Sequence, residues 1–249
     1  MTGGSGESIG VIPRAADLIF DRAARLREQG WTTRVVVESL EIYNDTLRDL
    51  LTPGGGALEL REAPKTGAGV GATATVIVEG LSSAVASTPQ SVHHLLGRAV
   101  SARATGATAM NAASSRSHFI FTLRVSAQHE ATRQVREGTL TLVDLAGSEN
   151  LNKSKVHDAS AGGSEKLLKE TLAINTSLSA LGGVVSALQN KAKHVPFRDS
   201  KLTHVLQDAL GSANARTLFI CALNPMHSNS NESLSTLRFA ERLASVQKK

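Results

Sequence analysis

Hydrophobic positions along the 249-residue chain switch repeatedly between a helical and a strand period, and that alternation predicts an α/β sandwich. From Pro13 to Gln29, residues Ala16, Ile19, Phe20, Ala23 and Leu26 share one helical face, with a proline suited to the first turn and Gly30 after the last. Arg34 to Tyr43 is rich in β-branched and aromatic residues and reads as a strand, after which Asn44-Asp45 is expected to cap a short helix, Thr46 to Leu51. Pro53-Gly54-Gly55-Gly56 marks a turn, short strands are predicted around Leu58 to Leu60 and Val76 to Val78, and Thr88-Pro89 opens a helix reaching about Ala104. A small, polar stretch from Thr105 to His118 precedes two apolar strands, Phe119 to Val125 and Thr139 to Leu145. A loop from Ser148 to about Gly163 leads into a helix, Ser164 to Gln189. The remainder reads helix, strand, helix over Arg198 to Leu210, Thr217 to Leu223 and Glu232 to Val246. On the last helix Leu234, Leu237, Leu243 and Val246 are expected to face the core.

Composition narrows the class. At 41% hydrophobic content, with no internal repeat or long linker, one large globular domain is expected rather than a disordered or fibrous chain. No apolar run approaches the roughly 20 residues needed to span a bilayer, and the start lacks the basic and apolar segments of a signal peptide, so no membrane insertion is expected. The single cysteine, Cys221, excludes an internal disulfide framework and agrees with a reducing compartment. A net charge of +5 and a pI near 9.6 favour a polyanionic partner, which nucleic acid, an acidic membrane surface or an acidic protein polymer would each satisfy.

Two constellations carry candidate chemistry. Asp144 ends an apolar strand and Gly147 follows, where nucleotide-binding α/β sheets place ligand-contacting groups. An acid there can support Mg²⁺ through water, and the glycine lets a backbone N–H approach a terminal phosphate. Alone, Asp-x-x-Gly is more often an ordinary strand-to-loop turn. The second, Asn111-Ala112-Ala113-Ser114-Ser115-Arg116-Ser117-His118, packs hydroxyls, an amide and a guanidinium just before a strand. It suits a phosphate and its metal, although composition alone equally fits a polar connecting loop.

Together these motifs resemble the first and second switches of kinesin motors, the second reading Asp144-Leu145-Ala146-Gly147-Ser148-Glu149. The resemblance extends through Glu41-Ile42-Tyr43-Asn44, Ile174-Asn175-x-Ser177-Leu178-Ser179-Ala180-Leu181-Gly182, Val195-Pro196-Phe197-Arg198-Asp199-Ser200-Lys201-Leu202-Thr203, Leu206-Gln207-Asp208 and Ser235-Thr236-Leu237-x-Phe239-Ala240, covering essentially the whole chain. It implies a P-loop NTPase-like motor sandwich, a central mixed sheet flanked by helices, with ATP and Mg²⁺ as cofactors. By the same resemblance Ser115 places its hydroxyl on Mg²⁺, Asp144 supports the metal through water, and Gly147 senses the γ-phosphate. Arg116 and Glu149 pair when the switches close, organising the attacking water, with Asn111 and Ser114 lining the pocket, so that catalysis is positioning plus electrostatics. Asn175 belongs to the helix that relays the switch state to the polymer-binding surface. Lys153 to Lys201 holds eight Lys and Arg against four Asp and Glu and matches the part of the family that faces acidic tubulin. Lys153, Lys166, Lys169, Arg198 and Lys201 are the implied microtubule contacts, weakening as salt rises.

The chain also departs from the family. It contains no Gly-Lys dipeptide, hence no Gly-x-x-x-x-Gly-Lys-[Ser/Thr] phosphate loop. Met1-Thr2 aligns just after that loop, so residues 1–249 read as the C-terminal two-thirds or more of a motor domain, with the first strands and the strand bearing the loop absent. Loss of a central strand leaves its neighbours with unpaired backbone groups. The loop between Lys153 and Glu170 is about seven residues longer than usual by loop-length reasoning. Thr176 replaces a customary lysine, and Leu172 stands where a polar residue is common. Phe239-Ala240-Glu241-Arg242-Leu243-Ala244-Ser245-Val246 resembles the closing helix of C-terminal, minus-end-directed kinesins more than that of plus-end motors. The leading expectation is an ATP-dependent microtubule motor, an ATPase in the complete parent and inactive as these residues alone. It would act in the cytoplasm on the microtubule cytoskeleton, form a homodimer through regions outside this chain, and bind no nucleic acid. The rival is a catalytically inactive microtubule-binding pseudo-motor; a GTPase-like switch protein shares Asp-x-x-Gly but leaves the Arg198 to Lys201 region unexplained.

Overall fold

Strand β1 (Trp31–Tyr43) forms where the β-branched run predicts it, in a computed structural model that describes residues 1–4, 6–63, 75–105, 116–147 and 161–246. The chain divides into two compact units interleaved in sequence. The first takes Met1–Ile42, Leu47–Leu58 and Gly80–Ala146; the second takes Tyr43–Thr46, Glu59–Glu79 and Gly147–Lys249.

In the first unit, α1 (Val11–Glu28) stops at Gly30, whose φ of 81° continues the reversal made by its N–H on the Arg27 carbonyl, 3.0 Å. The expected helix from Thr46 to Leu51 is instead strand β2 (Thr46–Asp49). Asn44 and Asp45 both take positive φ, 51° and 53°, which turns the chain back as a type I′ hairpin; a helix cap would need extended backbone at that point. Asp49 then fixes the following bend by accepting the N–H groups of Leu51 and Thr52 at 2.8 and 3.0 Å. Helix α2 (Pro89–Thr105) starts as the sequence predicts, with Thr88 and Ser91 exchanging side-chain to backbone hydrogen bonds at 3.1 Å each. The sheet runs β2-β1-β6-β7, with β5 (Ser83–Ala86) antiparallel to β1. Strands β6 (Ser117–His129) and β7 (Val135–Asp144) are antiparallel from Phe119↔Asp144 to Gln128↔Val135. Alternate residues Val35, Val37, Phe119, Phe121 and Leu123 meet Ile12 and Ala16 of α1 and Val92, Leu95, Leu96 and Ala99 of α2 in one core. Each large side chain so buried contributes about 1.5–3 kcal/mol. Strand β7 has no second strand neighbour among the described residues, and Val135 is 60% exposed.

In the second unit, β3 (Glu59–Ala63) and β4 (Thr75–Glu79) form an antiparallel hairpin. Helix α3 (Ala161–Gln189) buries Ile174, Ser177, Leu181, Val184 and Val185 and packs with α4 (Lys201–Val205) and α6 (Ser230–Ala244). The helix predicted over Arg198 to Leu210 is divided: a 3₁₀ turn Phe197–Asp199, then α4, then α5 (Gln207–Gly211), with Ser200 and Thr203 forming a reciprocal cap at the first break. Three expectations are corrected here. Thr217 to Leu223 has no regular secondary structure, because no described neighbour supplies a ladder; Leu218 and Ile220 are 85% and 83% exposed. Helix α6 buries no residue, leaving Leu234 and Leu237 about half exposed and Leu243 half-buried, as is Val246 just beyond it, so its contact with α3 covers this face only in part. Leu168–Gln189, at a mean hydropathy of 1.4, is long and apolar enough to cross a bilayer by length and composition; hydroxyl and amide groups among the apolar residues hid it from a search for an unbroken run.

Candidate functional site

The antiparallel register of β6 with β7 sets the site, because it puts the start of one strand beside the end of the other, and both sequence motifs lie at that end. Ser117 and His118 open β6, Asp144 closes β7, and Leu145-Ala146-Gly147 follow. The Ala146 N–H donates to His118 Nδ1 at 3.0 Å, so the end of the first motif is bonded directly to the second. His118 is 3% exposed, and burial, reinforced by the nearby Arg103 charge and opposed by Asp144, pushes its pKa down to about 4. The imidazole is therefore neutral near pH 7, with Nδ1 as acceptor and the proton on Nε2.

Arg103, in the last turn of α2, ties this end of the sheet together. Its Nη2–H donates to the Ser117 carbonyl at 2.9 Å, its Nε–H to Ser117 Oγ at 3.2 Å, and its Nη1–H to Asp144 Oδ2 at 3.1 Å. Glu41 Oε1 stands 3.7 Å from Nε, and the guanidinium lies 5.4 Å from the centre of the Phe119 ring. Arg103 and Glu41 side chains are only 10% and 4% exposed, so the pair is a buried one, and the guanidinium also donates to Ser117 and Asp144. Asp144, half exposed, keeps a carboxylate available at the strand end with Arg103 orienting it. Mg²⁺ binds through carboxylates, hydroxyls and retained waters, and an open carboxylate steadied from behind fits the support of such a metal through water. Arg116 sits half-buried immediately before β6. Asn111, Ser114, Ser115 and Glu149 lie outside the described residues, so the expected Arg116–Glu149 pair does too.

The second unit holds the implied filament contacts. Lys169 is exposed on α3, and Asn175 is exposed one position beyond buried Ile174 on the same helix. Arg198 lies in the 3₁₀ turn and donates to Glu62 of β3 at 2.8 and 3.1 Å. Lys201 begins α4, its backbone N–H bonded to Asp45 Oδ1 at 3.1 Å. Glu170, 6% exposed on α3, accepts the Tyr43 hydroxyl proton. Lys153 and the Lys166 side chain lie outside the described residues.

Residue-by-residue reasoning misses four participants. Arg103 carries a weak signal, a lone guanidinium among alanines at the buried end of an amphipathic helix. Glu41 is an acid between apolar Leu40 and Ile42 in a strand, and an acid buried there asks for a cation. Glu62 and His204 carry none, because their partners are distant in sequence.

Comparison with known proteins places this geometry. Residues 1–246 match the family model of the kinesin motor domain. Kinesin-like protein KIN-14M of Arabidopsis thaliana is 43% identical over 249 residues, covering 96% of this chain and 32% of the relative. Human kinesin-like protein KIFC1 is 42% identical over 246 residues, covering 97% and 35%. Among solved structures, that of a fast kinesin superposes with a TM-score of 0.82 at 38% identity, covering 99% of this chain and 66% of that one. The chain thus spans about a third of the length of these curated relatives.

Proposed function

Because this chain belongs to the kinesin motor-domain family, we propose that it is the switch-bearing, filament-facing part of an ATP-driven microtubule motor. The observation that carries this reading is the junction of β6 and β7, where the first switch motif ends on the strand next to the one that delivers the second, joined by His118 and Arg103. A γ-phosphate arriving there would meet Gly147 by its backbone N–H, with Asn111 and Ser114 lining the pocket. Arg116 and Glu149, closing together, would hold the attacking water. Ser115 and Asp144 would hold Mg²⁺, the latter through water, and the metal would neutralise charge on the phosphates. Asn175 on α3 would belong to the element that relays the switch state to the surface bearing Lys153, Lys166, Lys169, Arg198 and Lys201.

Hydrolysis is proposed for a protein in which a Gly-x-x-x-x-Gly-Lys-[Ser/Thr] loop is joined to this chain, since the chain holds none. In that protein we place the activity on cytoplasmic microtubules, with dimerisation outside the motor, no nucleic-acid partner, and α3 as a helix of the folded domain that does not enter a membrane. Co-sedimentation of the chain with microtubules over a salt series tests the binding half. Binding should weaken steadily as salt rises, and Arg198→Ala with Lys201→Ala should weaken it further. Binding indifferent to both salt and these changes would refute the assignment of the surface.

A further inference from the structure

Glu62 of β3 is the centre of a second polar constellation, in the second unit, that no motif assigns. Arg198 Nε–H and Nη2–H both donate to Glu62 Oε1, at 3.1 and 2.8 Å, and His204 Nε2 of α4 stands 3.5 Å from the same oxygen. The arrangement has a front and a back. The Glu62 side chain is 28% exposed and His204 16%, whereas Arg198 is 73% exposed. Hydrogen bonding from Arg198 holds the Glu62 carboxyl below the usual carboxylate range, so the acceptor stays charged at neutral pH.

We propose that Glu62 is a positioning residue for microtubule binding, gripping one edge of the Arg198 guanidinium from behind so that the other edge is preset toward an acidic filament surface. The inference rests on Arg198 being a filament contact, as read above. A guanidinium has five N–H donors fixed in one plane. Glu62 takes two of these, which leaves three of five in a defined direction. An unheld arginine would have to surrender rotamer freedom on binding, a loss of about two- to tenfold in affinity. The surrounding frame does not depend on the ion pair: Val76 N–H bonds Asp208 Oδ2 at 3.3 Å, Lys201 N–H bonds Asp45, and Ser200 and Thr203 cap α4. Removing the carboxylate should therefore release the arginine without unfolding its platform.

The proposal opposes simple electrostatics. Glu62 is a negative charge on a surface assigned to an acidic polymer, so Coulomb repulsion alone predicts tighter binding when it is removed. The test is microtubule co-sedimentation at one fixed salt concentration for the wild-type chain, Glu62→Ala and Glu62→Gln, each with and without Arg198→Ala, alongside thermal melts. Positioning predicts that Glu62→Ala binds about two- to tenfold more weakly, that Glu62→Gln, which keeps an acceptor oxygen and drops the charge, binds at least as well as wild type, and that Arg198→Ala abolishes the effect of Glu62→Ala. If Glu62→Ala binds as well as or better than wild type while Arg198→Ala weakens binding, positioning is overturned and the filament surface stands. If both Glu62 variants bind weakly and melt well below wild type, the acid is a structural brace and positioning is likewise overturned. If Arg198→Ala changes nothing, or the chain does not bind, the surface assignment falls and the proposal with it.

Discussion

The first unit buries and bonds the groups around its candidate site, whereas the second presents its candidate contacts on exposed turns and helix faces. Arg103, Glu41 and His118 are nine-tenths or more enclosed, each with a polar partner, at the end of a sheet whose opposite strands share a packed core. Arg198, Lys169 and Asn175 are exposed. The same contrast holds for apolar residues: Phe121 and Leu123 are fully buried, while Leu218 and Ile220 are almost entirely open. Nucleotide sensing needs groups that hold sub-ångström positions, which burial and strand register provide. Gripping a filament needs charge that solvent and partner can reach.

The comparison breaks most easily at Arg103. Arg103→Ala would leave buried Glu41 to the half-exposed Arg48, 3.9 Å away, and free Asp144 and Ser117, so a loss of about 3 kcal/mol is expected in denaturant unfolding of the chain. A loss under about 1 kcal/mol would show that the cluster is not the brace described here. His118 gives the next effect. The native imidazole titrates near 4 against an ordinary 6.5, so as pH falls the unfolded chain is protonated first. The stability contributed by neutral His118 is complete above about pH 6.5 and disappears between 6.5 and about 4, amounting to about 3 kcal/mol. His118→Asn, whose side-chain oxygen can still accept from Ala146 N–H, should flatten that part of the profile relative to wild type; an unchanged slope would count against the buried neutral imidazole. The smallest effect lies in the second unit, where Leu218→Ser with Ile220→Ser should shift stability by no more than about 0.5 kcal/mol, because neither side chain leaves water on folding. A cost of several kcal/mol would mean that this segment is packed.

Legibility in the sequence follows the same division. Helices α1 and α2 and strands β1, β6 and β7 were readable because amphipathic period, proline, glycine and β-branched residues all agreed. The turn at Asn44-Asp45 was misread because the same two residues favour both a helix cap and a left-handed hairpin turn, and only backbone φ separates them. Thr217 to Leu223 has the composition of a strand, yet a strand is a property of a pair, and composition cannot supply the neighbour. Asp144 and His118 were legible as members of motifs, but their meeting depends on the β6–β7 register, which spacing along the chain does not encode. Arg103 and Glu62 act across 41 and 136 positions respectively, beyond any local pattern.

The central claim is that the two motifs joined at β6 and β7 form the switch site of a microtubule-stimulated ATPase. Its most direct test is steady-state ATP hydrolysis, with and without microtubules, by a motor protein in which this chain is joined to a phosphate-binding loop, comparing Arg116→Ala and Glu149→Ala with wild type. The account predicts that microtubules stimulate the wild type and that either substitution lowers the stimulated rate by about a hundredfold or more, while microtubule binding persists. Undiminished turnover in both variants would contradict it.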